Sequence, residues 1–196
     1  MEYNRESAVK TWQKWNADPA LWRHALAVEA CMRHFAATAG EDQDAWGLAG
    51  LLHDVDWERF PAEHCVKARE LLAAESWPEW LIRAVQSHGH GLCIECEPVT
   101  PMEKSLFAID EMTGFIGACA VVRPSKSVLD IEVKSVKKKW KALNFAAGVN
   151  REVVERGAAN LGLSLDELIQ ACIDGMRPVA EEIGLKGEPE ATPAKA

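Results

Sequence analysis

Trp46-Gly47-Leu48-Ala49-Gly50-Leu51-Leu52-His53-Asp54 is the stretch that decides the fold. An apolar helical run ends in a histidine and a carboxylate side by side. Imidazole and carboxylate together suit a divalent metal ion. Neighbours on a helix point about 100° apart. Both side chains can therefore reach one ion only near a helix end, and the apolar run stops here. A lone His-Asp pair carries little weight. Partners at plausible places give it weight, and the chain has His24 upstream, His64 and His88 downstream, and Asp110 further on.

The flanking sequence reads as helices. Asp18-Pro19 restarts the chain after a first helix over 5–16, with Asp as N-cap and Pro at the first helical position. From Pro19 to about Ala39, Leu21, Ala25, Val28, Met32 and Phe35 recur every three or four residues. His24 falls within this stripe and His34 off it, on the surface. Alone, a histidine on such a stripe is a hydrogen-bonded core residue; its companions make it a candidate ligand. Gly40 ends that helix. A helix over 63–74 is expected to carry His64 and Cys65 in its first turn. Ser76-Trp77-Pro78-Glu79 and Thr100-Pro101-Met102-Glu103 both have capping-box spacing. The first opens a helix that ends at Ser87-His88, and the second opens a long helix to about Val122. The long helix carries a stripe of Leu106, Phe107, Gly114, Gly117 and Val121, with Asp110 in its middle. A buried carboxylate needs a metal or a base nearby, and Gly114 and Gly117 would admit a neighbouring helix. Two more helices start near Asn150 and at Ser164-Leu165-Asp166-Glu167. No strand alternation and no internal repeat is found, so the fold class is all-α.

The order His…His-Asp…His…His…Asp resembles the HD-domain superfamily, helical metal-dependent phosphohydrolases. LWRHALAVEACMRHFA (21–36), WGLAGLLHDVDW (46–57), EKSLFAIDEMTGFIGACAVVRPSK (103–126), EVKSVKKKW (132–140) and FAAGVNREVV (145–154) look like a subgroup of small stand-alone bacterial HD proteins. The resemblance spans roughly residues 18 to 180. It implies a helical bundle with the metal site in its core, and it makes His24, His53, Asp54 and Asp110 the metal ligands. The ion would be Mn, Fe, Ni, Co, Zn or Mg. It would polarise a phosphoryl oxygen and lower the pKa of a bound water. His64 and His88 stand where two-metal members place further ligands, with Asp54 available to bridge. Otherwise they line the pocket and bind substrate. His90 either replaces His88 or does nothing. Asp54 and Asp56 are the catalytic candidates, Asp56 by orienting a water or a ligand imidazole. Trp57 stands where some members carry an acid/base Glu, which leaves the general acid unassigned. Glu111 either supports Asp110 or lies at the surface.

Composition bounds these readings. The 196 residues, 48% of them hydrophobic, fit one domain over 1–184. Its core is about 18–122 and its C-terminal helical part about 123–184. A disordered tail, 185–196, is expected to follow. No run of about 18 apolar residues exists, so no membrane span is expected. Met1-Glu2-Tyr3-Asn4-Arg5-Glu6 lacks the apolar region of a secretory signal. Six scattered cysteines suit reduced thiols and a cytoplasmic location. Cys93-Ile94-Glu95-Cys96 is a C-x-x-C with neither a second copy nor a βαβ context.

A net charge of −8 speaks against general nucleic-acid binding. Between Arg123 and Lys141, however, seven basic residues face two acidic ones, a local +5. That segment is either a solvated helix face or an anion-attracting rim. The resemblance makes Arg123, Lys126, Lys134, Lys137 and Arg151 the phosphate-binding candidates. The expected function is hydrolysis of a phosphomonoester or phosphodiester in a small phosphorylated metabolite or nucleotide, with one metal ion or two. The alternatives are an HD-fold diiron oxygenase and a non-catalytic module that binds a nucleotide or a partner.

Overall fold

The computed structural model describes residues 3–188. The readings made on Met1-Glu2 and on the tail from 189 to 196 lie outside the described residues. Nine α-helices and two short 3-10 turns make up the described chain, with no β-strand among the described residues. The helices are α1 (Arg5–Trp15), α2 (Pro19–Ala39), α3 (Gln43–Leu52), α4 (Val66–Ala74), α5 (Glu79–Ser87), α6 (Pro101–Val121), α7 (Val133–Trp140), α8 (Arg151–Asn160) and α9 (Leu165–Met176).

Helix ends follow the local chemistry. The Asp18 carboxylate accepts the Ala20 N–H ahead of Pro19, and Gly40 closes α2 at φ 72. Thr100 with Glu103, and Ser164 with Glu167, form reciprocal capping boxes at α6 and α9. The Ser76 box does not form: α5 starts from Pro78 with no side-chain cap, and Ser76 sits at φ 59. His64 and Cys65 precede α4 instead of opening it. A 3-10 turn over Pro61–Glu63 and a left-handed Cys65 (φ 64) intervene.

Helix α2 lies at the centre, packed on α3, α6 and α9, with α8 against α6. Its middle, from Ala25 to Met32, is buried all round, as a helix enclosed by others must be. Within it the buried Glu29 is neutralised by Arg5 (2.8 and 3.0 Å) and Arg33 (3.1 Å). Gly50 lets α3 press on α2: a Cβ there would lie 2.9 Å from the Val28 carbonyl oxygen. The close approach on α6 differs from the one expected. A Cβ at Gly114 would meet nothing within 4 Å, and at Gly117 only Leu185 at 3.8 Å. Gly157 of α8 makes that contact instead, 2.6 Å from the Ala108 Cα by the same measure. Val121 is exposed rather than part of the buried stripe, and His34 is half-buried.

Residues 185–188, read from the sequence as the start of a disordered tail, are held in place. Leu185 is buried, its carbonyl accepts the Val128 N–H at 2.8 Å, and the Glu188 N–H reaches the Ser125 carbonyl at 2.8 Å. Residues 185–188 are therefore tied to the fold, by burial at Leu185 and by backbone hydrogen bonds at the otherwise exposed residues that follow. Among the described residues no helix is long and apolar enough to cross a membrane.

Candidate metal centre

Two helix ends supply two histidines in the same way. His53 follows α3 and His88 follows α5, each in the C-cap position. The last carbonyls of a helix lack partners within it. The His53 Nδ1 donates to the Gly50 carbonyl at 2.8 Å, and the His88 Nδ1 donates to the Val85 carbonyl. His64 donates its Nδ1 to the Asp56 carboxylate at 2.8 Å. In all three rings the proton sits on Nδ1 and Nε2 faces inward. This is how ligand imidazoles are fixed in tautomer and orientation.

The inward nitrogens meet in pairs. His24 and His53 bring their Nε2 atoms to 3.2 Å, and His64 and His88 bring theirs to 3.1 Å. Asp110, from the middle of α6, lies 3.0 Å from His24 and 3.3 Å from His53. Asp54 stands between the pairs. Its Oδ2 is 3.3 Å from His53 and 3.9 Å from His24, while its Oδ1 is 3.5 Å from His64 and 3.6 Å from His88. Donors about 2.1 Å from one ion sit roughly 3.0–3.4 Å apart. Ring nitrogens facing each other at these distances either share a proton or take a cation between them. The donor chemistry and spacing therefore fit a divalent ion at each pair, with Asp54 shared.

The electrostatics of the metal-free cluster agree. Burial alone would push the His53 imidazole down, but Asp54 and Asp110 outweigh it and hold it well above its ordinary value. Burial would raise the Asp54 carboxyl, yet His53 and His88 hold it well below the usual range. Asp110 is held down by His53 and His24 against the same burial. His64 is raised, with Asp56 overcoming the effect of burial.

Asp56 is fully buried behind His64, where its second oxygen accepts the Ala68 N–H at 2.8 Å. It orients a ring and does not face the cavity. That cavity, of about 430 Å³, opens over the donors and is walled by Trp57, Leu92, Phe107, Glu111 and Val153. Trp57 stands edge-on to His64, with ring centroids 4.8 Å apart. Burial, then the Asp110 charge, push the Glu111 carboxyl up to about 7, and it accepts the Asn150 N–H. His90 lines neither the cavity nor the cluster.

The basic candidates are placed elsewhere. None of Arg123, Lys126, Lys134, Lys137 and Arg151 lines the cavity. Arg123 binds Asp130, Lys134 pairs with Glu132, and Lys137 pairs with Asp166. Lys126 is exposed. Arg151 donates to the Trp140, Ala142 and Phe145 carbonyls behind α7. After α7 the chain lines the cavity only through Gly148 and Val153 among the described residues.

Cys65 was not singled out by the sequence, because its neighbour His64 drew the reading. Its sulfur lies 3.8 Å from the His88 Nε2 and 3.2 Å from the Cys93 sulfur. That shared hydrogen bond lowers Cys93 to about 6 and holds Cys65 well up. Comparison of the chain with protein-family models and with curated proteins finds no match.

Proposed function

We propose that the chain is an HD-type, metal-dependent hydrolase of phosphate esters whose centre takes two divalent ions. The observation that carries this reading is the Asp54 carboxylate, whose two oxygens face two separate sets of imidazole nitrogens. Two ions held there would polarise a phosphoryl oxygen and activate a water for attack on phosphorus. The protein's own groups do the positioning. Gly50, Val85 and Asp56 hold the three rings with Nε2 aimed at the centre. Trp57, Leu92, Phe107 and Val153 supply apolar walls for the organic part of the ester. Among the described residues no Lys or Arg lines the cavity. Phosphate charge would thus be met by the metal alone, which favours a small monoester or diester over a polyphosphate chain.

One observation favours a second reading, a two-iron oxygenase. All six donors, four imidazoles and two carboxylates, are present and converge. A single experiment separates the two. The full-length protein, loaded in turn with Mn, Co, Ni, Mg and Fe, is offered nucleotides, sugar phosphates and a chromogenic phosphodiester. Metal-dependent release of phosphate or alcohol, absent in Asp54→Ala, is the expected result. No turnover with any metal, together with two bound irons and O₂ consumption, would replace the hydrolase with the oxygenase.

A further inference from the structure

We infer that Cys65 and Cys93 form an oxidisable thiol pair in the cavity wall, closed to a disulfide by hydroperoxides and reopened by thiols. The sequence pairs Cys93 with Cys96 as a C-x-x-C, but the structure gives their sulfurs different partners. The Cys96 sulfur is taken by the Arg83 guanidinium at 3.5 Å. Cys93 instead faces Cys65, 28 residues earlier in the chain, across 3.2 Å. A disulfide bond is about 2.05 Å long, so closure needs an approach of roughly 1.2 Å. The site is built around the sulfurs. Gly89 lies between the two loops, and a Cβ there would overlap both sulfur atoms. Access is one-sided: Cys93 is exposed and lines the cavity, whereas Cys65 is buried behind it. Of the other cysteines, Cys31, Cys119 and Cys172 are buried and Cys96 is half-buried, so Cys93 meets a solute first.

The chemistry balances with a hydroperoxide as oxidant. The Cys93 sulfur attacks the outer peroxide oxygen, the O–O bond breaks, and the departing alkoxide takes the thiol proton. Cys93 is left as a sulfenic acid. The Cys65 sulfur then forms the S–S bond, its proton leaving with the sulfenic hydroxyl as water. Two thiols and one hydroperoxide give one disulfide, one alcohol and one water.

The test treats the full-length protein with hydrogen peroxide, counts thiols with a maleimide after denaturation, and maps the peptides. The expected result is loss of two of the six thiols, a Cys65–Cys93 linked peptide two hydrogens lighter, and full recovery with dithiothreitol. In Cys65→Ser the same treatment should leave Cys93 as a sulfenic acid that a 1,3-diketone traps. A Cys93–Cys96 link, or six thiols surviving peroxide that oxidises an exposed control thiol, overturns the inference.

Discussion

In the proposed two-ion centre Asp54 would serve both halves of the cluster and each histidine one, so their substitutions should differ in metal stoichiometry. Asp54→Ala is expected to lose nearly all bound metal, while His64→Ala keeps the ion at His24, His53 and Asp110. Elemental analysis with circular dichroism as the folding control reads this; equal metal in the two variants counts against the shared carboxylate. Asp56 acts through His64. Asp56→Asn should weaken metal at that half by about 10–100-fold and leave the other half intact, as metal titration would reveal. Acidity provides a third reading. In the metal-free protein His53 holds its proton above its ordinary value, and a metal must displace that proton. Apparent affinity should therefore climb with pH until the raised His53 pKa is passed, and then level off. Uptake in weakly buffered solution with an indicator dye should show proton release near neutrality. Identical affinity at pH 6 and pH 8 would contradict the placement of His53.

At the level of elements, much was legible. The apolar run to Leu52 announced a helix end at His53, and the spacing at Thr100 and Ser164 announced two capping boxes that form. The same spacing at Ser76 was silent, because Pro78 takes the cap position and Ser76 is left-handed. The close helix contact was assigned to Gly114 and Gly117, since sequence shows that a side chain is missing but not what stands opposite. Gly157 carries that contact. Gly157→Ala should lower stability by about 1–3 kcal/mol through overpacking against the Ala108 backbone. Gly114→Ala, with open space, should be close to neutral. Thermal unfolding of both variants checks the contrast. Charge counting likewise located the basic segment without its partners. Lys134 and Lys137 spend their charge on Glu132 and Asp166. Neutralising both should change KM for any phosphate ester less than twofold, and a large rise would return them to the binding site.

For the molecule as a whole, residues 185–188 act as a strap. Residues 185–188 cross the loop after α6, through Val128, Ser127 and Ser125. Leu185→Ala should destabilise the protein by about 1.5–3 kcal/mol, visible as a lower melting temperature. The donor set has a wider reach. It gathers side chains from α2, the ends of α3 and α5, the turn before α4, and α6, so positions from 24 to 110 meet at one point. None of α7, α8 and α9 contributes a donor. Ligands that bind only the folded state add about 2.7 kcal/mol when present at a hundred times their dissociation constant. Any opening that separates α2, α3, α5 or α6 forfeits that increment, while fraying of α7 does not. Amide hydrogen exchange should therefore slow on metal addition in α2, α3, α5 and α6 and stay unchanged in α7. The ion would thus divide a continuous helical core into two regions of unequal opening frequency that no helix boundary marks.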